Sequence, residues 1–236
     1  MPSTFEALES RNPHNGEVIG SYDQHDDGEV DRCLDTVIGA QSRWAKVDVV
    51  ERSRYLADLA GVLRVRRAEY ARLMTQEMGK PVVQAEGEVE KCAWLCEYYA
   101  EYSARFLEAA PVDTDAARSE VVFRPLGTVF AIMPWNFPFW QAFRFAAPAL
   151  AAGNGVVLKH AGNVTGCGLA IEAICAEALP ENLLRTIVME SARAASVIED
   201  PRIAAVTFTG STGAGRKVGA AAGGALKKIR AGTRWQ

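Results

Sequence analysis

Three short segments of this sequence place side chains that can bind anions or stabilise charge directly after apolar runs. The first is Pro134–Pro138, in which two prolines bracket Trp-Asn-Phe and restrict the backbone that carries Asn136. The amide NH₂ of Asn136 could donate to a developing oxyanion, a role that amides fill in catalysis. It could equally belong to a rigid turn in which Asn136 bonds its own backbone. Residue chemistry leaves both interpretations open.

The second segment ends the apolar run Val156–Lys159. A lysine at the mouth of a buried strand can bond a ribose hydroxyl or a phosphate, although a strand-terminal lysine can also lie in solvent. The adjacent His160 adds little to either interpretation.

The third segment, Phe208–Gly215, is a turn of small residues between an apolar run and a helical pattern. Its free backbone N–H groups and the start of the helix can face a phosphate. The segment matches neither the G-x-G-x-x-G fingerprint nor the P-loop, because no Gly-Lys-Ser/Thr follows. It is therefore a candidate anion site without a unique signature.

The first third of the chain, ahead of these segments, has the periodicity of helices. The predicted helices run from Asp27, as the cap, to Trp44, from about Val50 to Met78, and from about Val83 to Ala109. The third helix carries a set of large side chains at helical spacing, which predicts a core face: Trp94, Leu95, Tyr98, Tyr99, Tyr102 and Phe106.

After a polar break at Pro111–Ser119 the pattern alternates between strands and helices. The predicted strands are Glu120–Arg124, Thr128–Met133, Val156–Lys159, Leu184–Met189 and Ala204–Phe208, and the predicted helices are Phe139–Ala151, Val164–Ala178, Ser191–Glu199 and Thr212–Ala222. This alternation predicts an α/β fold with an open parallel sheet covered by helices on both faces. Such sheets bind ligands at the carboxyl ends of their strands, where all three segments lie.

Composition narrows the class of protein. A net charge of −3, with Lys and Arg scattered among acids, argues against a nucleic-acid partner. No apolar stretch reaches the ~20 residues of a membrane span, and Met1–Ser10 lacks the build of a signal peptide. The 5 cysteines show no paired metal spacing, so no metal site is expected. Their odd number favours reduced thiols in the cytoplasm.

Taken together, the three segments resemble the aldehyde dehydrogenase superfamily. The resemblance runs from Asn12 to about Lys228, and its most specific stretches are Pro125–Pro138, Ala151–Lys159 and Phe208–Thr212. It implies a Rossmann-like cofactor domain and the oxidation of an aldehyde to an acid with NAD or NADP. In that family a thiolate attacks the aldehyde, hydride passes to the nicotinamide, and a glutamate-activated water releases the acid.

The resemblance also implies roles for individual residues. Asn136 corresponds to the oxyanion-hole amide, Lys159 to the residue on the adenosine ribose, and Trp135 and Ser211 to neighbours of the pyrophosphate. The full set of cofactor contacts that it implies is Ile132, Met133, Pro134, Trp135, Lys159, His160, Ala161, Gly162, Gly210, Ser211 and Gly215.

Two positions bear on cofactor and substrate. Many NAD-preferring members have a glutamate at the position of Gly162, so its absence leaves NADP possible. Arg144 lies in an otherwise apolar helix, and members that oxidise succinate semialdehyde have an arginine there to pair with the far carboxylate. The alternative is an arginine whose stem covers the helix while its head lies in water.

The resemblance divides the chain into a helical part of the cofactor domain (1–105), arm strands that join subunits into a homo-oligomer (106–126), an NAD(P)-binding core (127–228) and an aberrant tail (229–236). The family continues into Glu-Leu-Gly-Gly and then the nucleophilic cysteine, neither of which this chain contains. One permitted codon choice for Ile229–Gln236, read one base later, gives Ser-Val-Leu-Glu-Leu-Gly-Gly, as a frameshift would. The expectations are a poorly packed tail after Ala222, and either a truncated dehydrogenase or a non-catalytic nucleotide-binding or oligomerising fragment.

Overall fold

The computed structural model describes residues 5–233. The first part of the Met1–Ser10 segment and the last three residues of the tail therefore lie outside the described residues. In chain order, the elements are β1 (Leu8–Arg11), β2 (Val18–Tyr22), α1 (Asp27–Trp44), α2 (Val49–Val65), α3 (Arg67–Met78), α4 (Val82–Phe106), β3 (Ala110–Pro111), β4 (Glu120–Val121), β5 (Thr128–Ile132), α5 (Pro138–Ala151), β6 (Gly155–Lys159), α6 (Thr165–Ala178), β7 (Leu184–Thr186), α7 (Ala194–Glu199), β8 (Ile203–Gly210), α8 (Thr212–Gly224) and β9 (Lys228–Thr233).

A five-stranded parallel sheet in the order β7-β6-β5-β8-β9 forms the centre of the molecule. Successive side chains of its strands point to opposite faces. On β5, Phe130 packs in a core with residues of α1, α7 and α8, whereas Ala131 packs in a core with residues of α2 to α6. The sheet is therefore covered on both faces, as the sequence predicts. No helix within residues 5–233 is long and apolar enough to span a lipid bilayer.

Most helices and strands begin and end within a few residues of their predicted positions. The first helix has the predicted extent, but its N-cap is Asp26, whose side chain accepts from Glu29 N in a capping box. The helix predicted from Val50 to Met78 is broken at Arg66 into α2 and α3. The antiparallel hairpin of β1 and β2 was not predicted.

The prediction that the large side chains of α4 form core is wrong for four of the six, whereas Leu95 and Tyr99 are partly buried and pack against the core. Trp94 is 58% exposed and Phe106 47% exposed, and none of the six predicted side chains is buried. The rings instead contact one another along the helix surface, with 4.9 Å between the ring centroids of Tyr98 and Tyr102. Helical spacing groups residues on one face without saying which face is covered. The small residues of the opposite face, such as Ala93 and Cys96, fill the core.

The expectation of a poorly packed tail is also wrong for the described residues. Lys228–Thr233 forms β9, which pairs in parallel with β8 from Ala205↔Lys228 to Gly210↔Thr233. A ladder needs backbone N–H and C=O groups but not an apolar sequence, and at an edge the charged side chain of Arg230 stays exposed.

Candidate cofactor-binding and active site

An open groove of about 710 Å³ lies at the carboxyl ends of the central strands. Strand residues form its floor, the segment around α7 forms one wall, and α8 forms the other. The lining residues are Ile132, Lys159, Phe208, Ser191, Ala192, Ala194, Ala195, Ile198, Gly213, Ala214, Lys217, Val218 and Ala221. This is the position at which open α/β sheets bind ligands.

Lys159 supplies a positive charge to the floor of this groove. Lys159 is only 2% exposed, and its Nζ atom lies 3.3 Å from Ser191 Oγ and 3.3 Å from the carbonyl oxygen of His160. Burial lowers the pKa of the ammonium group to about 8. Among the lining residues in the described part of the chain there is a second lysine, Lys217, and no carboxylate. The groove therefore suits an anionic ligand with an apolar portion.

The turn between β8 and α8 presents backbone to the same groove. Ser211 is the N-cap of α8, and its Oγ accepts from Ala214 N at 3.3 Å. A Cβ at Gly210 would lie 2.6 Å from the Phe208 ring, so glycine is required for this close approach. Gly215 is buried and its N–H donates to Ser211 O at 2.9 Å. The turn offers the start of a helix to a negatively charged group.

Asn136 stands in the loop that follows β5. Met133 N donates to Lys159 O at 3.0 Å, which joins this loop to the end of β6. The Nδ2 atom of Asn136 is buried and has no hydrogen-bond partner among residues 5–233. Because a buried NH₂ without a partner is costly, this group is available to donate to an acceptor on a bound molecule. The Nδ2 atom therefore makes no hydrogen bond to the Asn136 backbone.

Of the 11 predicted cofactor contacts, Ile132 and Lys159 line the groove; those that do not are Met133, Pro134, Trp135, His160, Ala161, Gly162, Gly210, Ser211 and Gly215. The His160 ring is buried, with Nε2 2.9 Å from Pro138 O, and Nδ1 accepts from Ala161 N at 3.0 Å. Burial lowers the pKa of this imidazole to about 4, so the ring is neutral with its proton on Nε2. His160 thereby ties the end of β6 to the start of α5. Gly162 opens a short 3₁₀ helix that contacts the β1 side chain Leu8.

The neutral state of His160 predicts a dependence of stability on pH. Because the folded pKa of about 4 lies below the ordinary value of 6.5, the unfolded chain protonates first as pH falls. The neutral His160 ring contributes fully to the free energy of unfolding above pH 6.5, and this contribution should be about 2 kcal/mol smaller at pH 5. Urea unfolding at pH 7 and pH 5 should show a loss about 2 kcal/mol larger in the parent than in His160→Gln. Equal losses would contradict the assignment.

Arg144 extends from α5 toward the same edge of the sheet. Its Nη2 atom lies 3.5 Å from Thr209 Oγ1, next to the β8–α8 turn, and the side chain is exposed. A guanidinium at this position can pair with a carboxylate on a bound molecule.

The two polar side chains that line the groove besides Lys159 were not predicted from the sequence. Ser191 follows β7 in the chain and lies within hydrogen-bond distance of Lys159, and Lys217 lies on α8. Ser191 follows the strand predicted at Leu184–Met189, at the same edge of the sheet as the other strand ends. The carboxyl-end rule would have found Ser191 there.

The groove and its two lysines fit a nucleotide cofactor. They define an α/β nucleotide-binding domain. The aldehyde dehydrogenase family model matches residues 1–232, and the chain belongs to that family.

The chain spans about half the length of the curated relatives it matches. It is 43% identical over 223 residues to the probable NADP(+) succinate-semialdehyde dehydrogenase of Synechocystis sp., covering 94% of this chain and 49% of that protein. It is 40% identical over 220 residues to the NAD(P)+ succinate semialdehyde dehydrogenase Sad of Escherichia coli, covering 93% and 48%. The structure of succinic semialdehyde dehydrogenase from Streptococcus pyogenes with NADP+ superposes with a TM-score of 0.93 at 32% identity, covering 96% and 50%.

Proposed function

We propose that this chain is the cofactor-binding part of an NAD(P)-dependent dehydrogenase that oxidises succinate semialdehyde to succinate. The observation that carries the proposal is the buried, unpartnered Nδ2 of Asn136 at the same sheet edge as the groove floored by Lys159. The names of the relatives from Synechocystis and Escherichia coli support the substrate.

NAD or NADP would be held by Lys159, Ser191 and the Gly210–Gly215 turn, and when bound it accepts hydride from the substrate. The ammonium group of Lys159 would donate to a ribose hydroxyl or 2′-phosphate, and the start of α8 would face the pyrophosphate. Position 162 is a glycine and has no acidic side chain that would repel a 2′-phosphate. The Asn136 NH₂ would donate to the aldehyde oxygen as it gains negative charge.

The thiol nucleophile of this chemistry must come from outside this chain. All five cysteines are among the described residues, and each is buried. Burial raises the pKa of every one of these thiols, which keeps them protonated and unreactive. The alternative function, nucleotide binding without catalysis, is the one we expect of this chain when it is isolated.

A chimera tests the proposed function. It joins this chain through Lys228 to the second half of the Synechocystis relative. We expect the chimera to reduce NAD(P) with succinate semialdehyde and this chain alone to give no turnover. A chimera that binds NAD(P) and oxidises other aldehydes but not succinate semialdehyde would contradict the proposed substrate.

The role of Arg144 predicts a selective change in that chimera. Arg144→Met should raise the KM for succinate semialdehyde at least tenfold, because a charge-assisted pair contributes about 1.5–3 kcal/mol. Butyraldehyde, of the same carbon number but without the carboxylate, should be oxidised with an unchanged KM. Parallel changes for both aldehydes would show that Arg144 acts on folding or cofactor binding instead.

We also propose that the β3–β4 arm contacts a second subunit. Within residues 5–233, β3 pairs with β4 in a sheet of two strands, and the apolar side chains Val121, Val122 and Phe123 are about half exposed. Apolar groups on a projecting hairpin are typical of a surface that another chain covers.

A further inference from the structure

The loop that carries Asn136 is held by a buried ion pair from outside the loop. Lys80 follows Gly79, whose left-handed backbone (φ 74°) ends α3 and turns the chain inward. The Lys80 side chain is 7% exposed and its ammonium group pairs with Glu88 of α4.

Lys80 contacts the loop at two consecutive residues. Its Nζ lies 3.1 Å from the backbone oxygen of Asn136 and 3.8 Å from the centre of the Phe137 ring. The first contact is a hydrogen bond donated to the peptide group of Asn136 itself. The second is a cation–π contact with the next side chain. Together they fix the backbone from which the Asn136 amide projects.

Glu88 binds the start of α5, which directly follows the same loop. Its Oε1 atom accepts from Phe139 N at 3.0 Å and from Trp140 N at 2.9 Å, in the first turn of α5. The N-cap residue of α5 is Phe137, which has no side-chain acceptor, so Glu88 supplies the cap from α4. One carboxylate therefore binds the helix start while its second oxygen binds Lys80.

We propose that Lys80 and Glu88 are positioning residues for the oxyanion donor Asn136, an inference that rests on the proposed function. Buried ion pairs stabilise proteins little compared with apolar replacements, and their best-supported use is to specify one geometry. Here the pair contacts the peptide oxygen of Asn136, the ring of Phe137 and the first free amides of α5, directly after Asn136 in the chain. The ion pair sets the direction of the Asn136 NH₂ before substrate arrives.

The side-chain amide signals of Asn136 in the ¹⁵N-labelled chain test this directly. They are identified as the pair that is lost in Asn136→Ala. Lys80→Met leaves Glu88 on the two α5 amides, and we expect it to shift the Asn136 signals or broaden them beyond detection while most other side-chain amides stay in place. The matched control is Arg64→Met, which removes the exposed ion pair between Arg64 and Glu97. This control should leave the Asn136 signals unchanged.

Asn136 signals that superpose on the parent in Lys80→Met, with only a lower melting temperature, would overturn the proposal. If Lys80→Met does not fold, Lys80→Gln retains an N–H donor without the charge. It should give Asn136 signals displaced from those of the parent, and an unchanged position would again overturn the proposal. NADP+ added to the same samples separates the two ideas. If NADP+ causes no chemical-shift changes in the parent, the proposed function is wrong. If NADP+ binds but the Asn136 signals are the same in Lys80→Met as in the parent, only the positioning role is wrong.

Discussion

Replacing Glu88 by leucine should lower the free energy of unfolding by about 3–5 kcal/mol, the cost of removing one partner of a buried ion pair. The substitution leaves the ammonium group of Lys80 buried without its carboxylate, in contact with the Asn136 carbonyl oxygen and the Phe137 ring, and it removes the acceptor of two amides at the start of α5. Urea unfolding followed by circular dichroism measures the difference.

Two further variants distinguish the ion pair from bulk packing. Glu97→Leu removes an exposed partner of Arg64 on the same helix and should cost less than about 1 kcal/mol. The double variant Lys80→Met/Glu88→Leu should be less destabilised than Glu88→Leu alone, because no unpaired charge remains in the core. Equal costs for Glu88→Leu and Glu97→Leu would show that the buried pair has no special energetic role.

Replacing Lys159 by methionine should weaken NADP+ binding by about 1.5–3 kcal/mol, or roughly 10- to 150-fold in Kd. Methionine keeps most of the buried stem but removes the charged donor from the floor of the groove. Calorimetry on the chain measures the change. Lys46→Met is the matched control, since Lys46 lies near Ala152 at the opposite edge of the sheet. Equal affinity in the Lys159 variant and the parent would remove Lys159 from the site.

The lowered pKa of Lys159 adds a pH signature to the same measurement. Because burial places the pKa at about 8, the ammonium group loses its proton as pH rises through that value. NADP+ affinity should therefore decline above pH 8 in the parent and stay flat in Lys159→Met. A bound phosphate favours the charged form, so binding at pH 8 should also take up protons from the buffer.

Periodicity and strand ends predicted four strands of the sheet because β5, β6, β7 and β8 lie in short, mostly apolar runs that each have a helix after them. The rule that parallel sheets bind ligands at carboxyl ends then brought Lys159 and the Gly210–Gly215 turn to one groove. The Lys80–Glu88 pair could not be predicted in this way. Its contacts join residues more than 50 positions apart along the chain, and only the packing of α4 against α5 creates them.

The wrong predictions have physical causes of the same kind. The aromatic face of α4 and the apolar face opposite both have helical spacing, so periodicity could not tell which of them packs inward. The tail after Ala222 lacks an apolar run, but the open edge of β8 offers backbone partners that Lys228–Thr233 takes regardless of side chain. The β1–β2 hairpin is mostly exposed and gives no clear alternating signal.

The central claim is that a nicotinamide dinucleotide binds in the groove at the carboxyl ends of β5, β6 and β8. Hydrogen–deuterium exchange of the chain with and without saturating NADP+ tests it most directly. We expect slower exchange in the segments 159–162, 191–198 and 208–215, with unchanged exchange in the segment 46–52 at the opposite edge of the sheet. Protection that is absent from all three segments, or confined to the opposite edge, would contradict it.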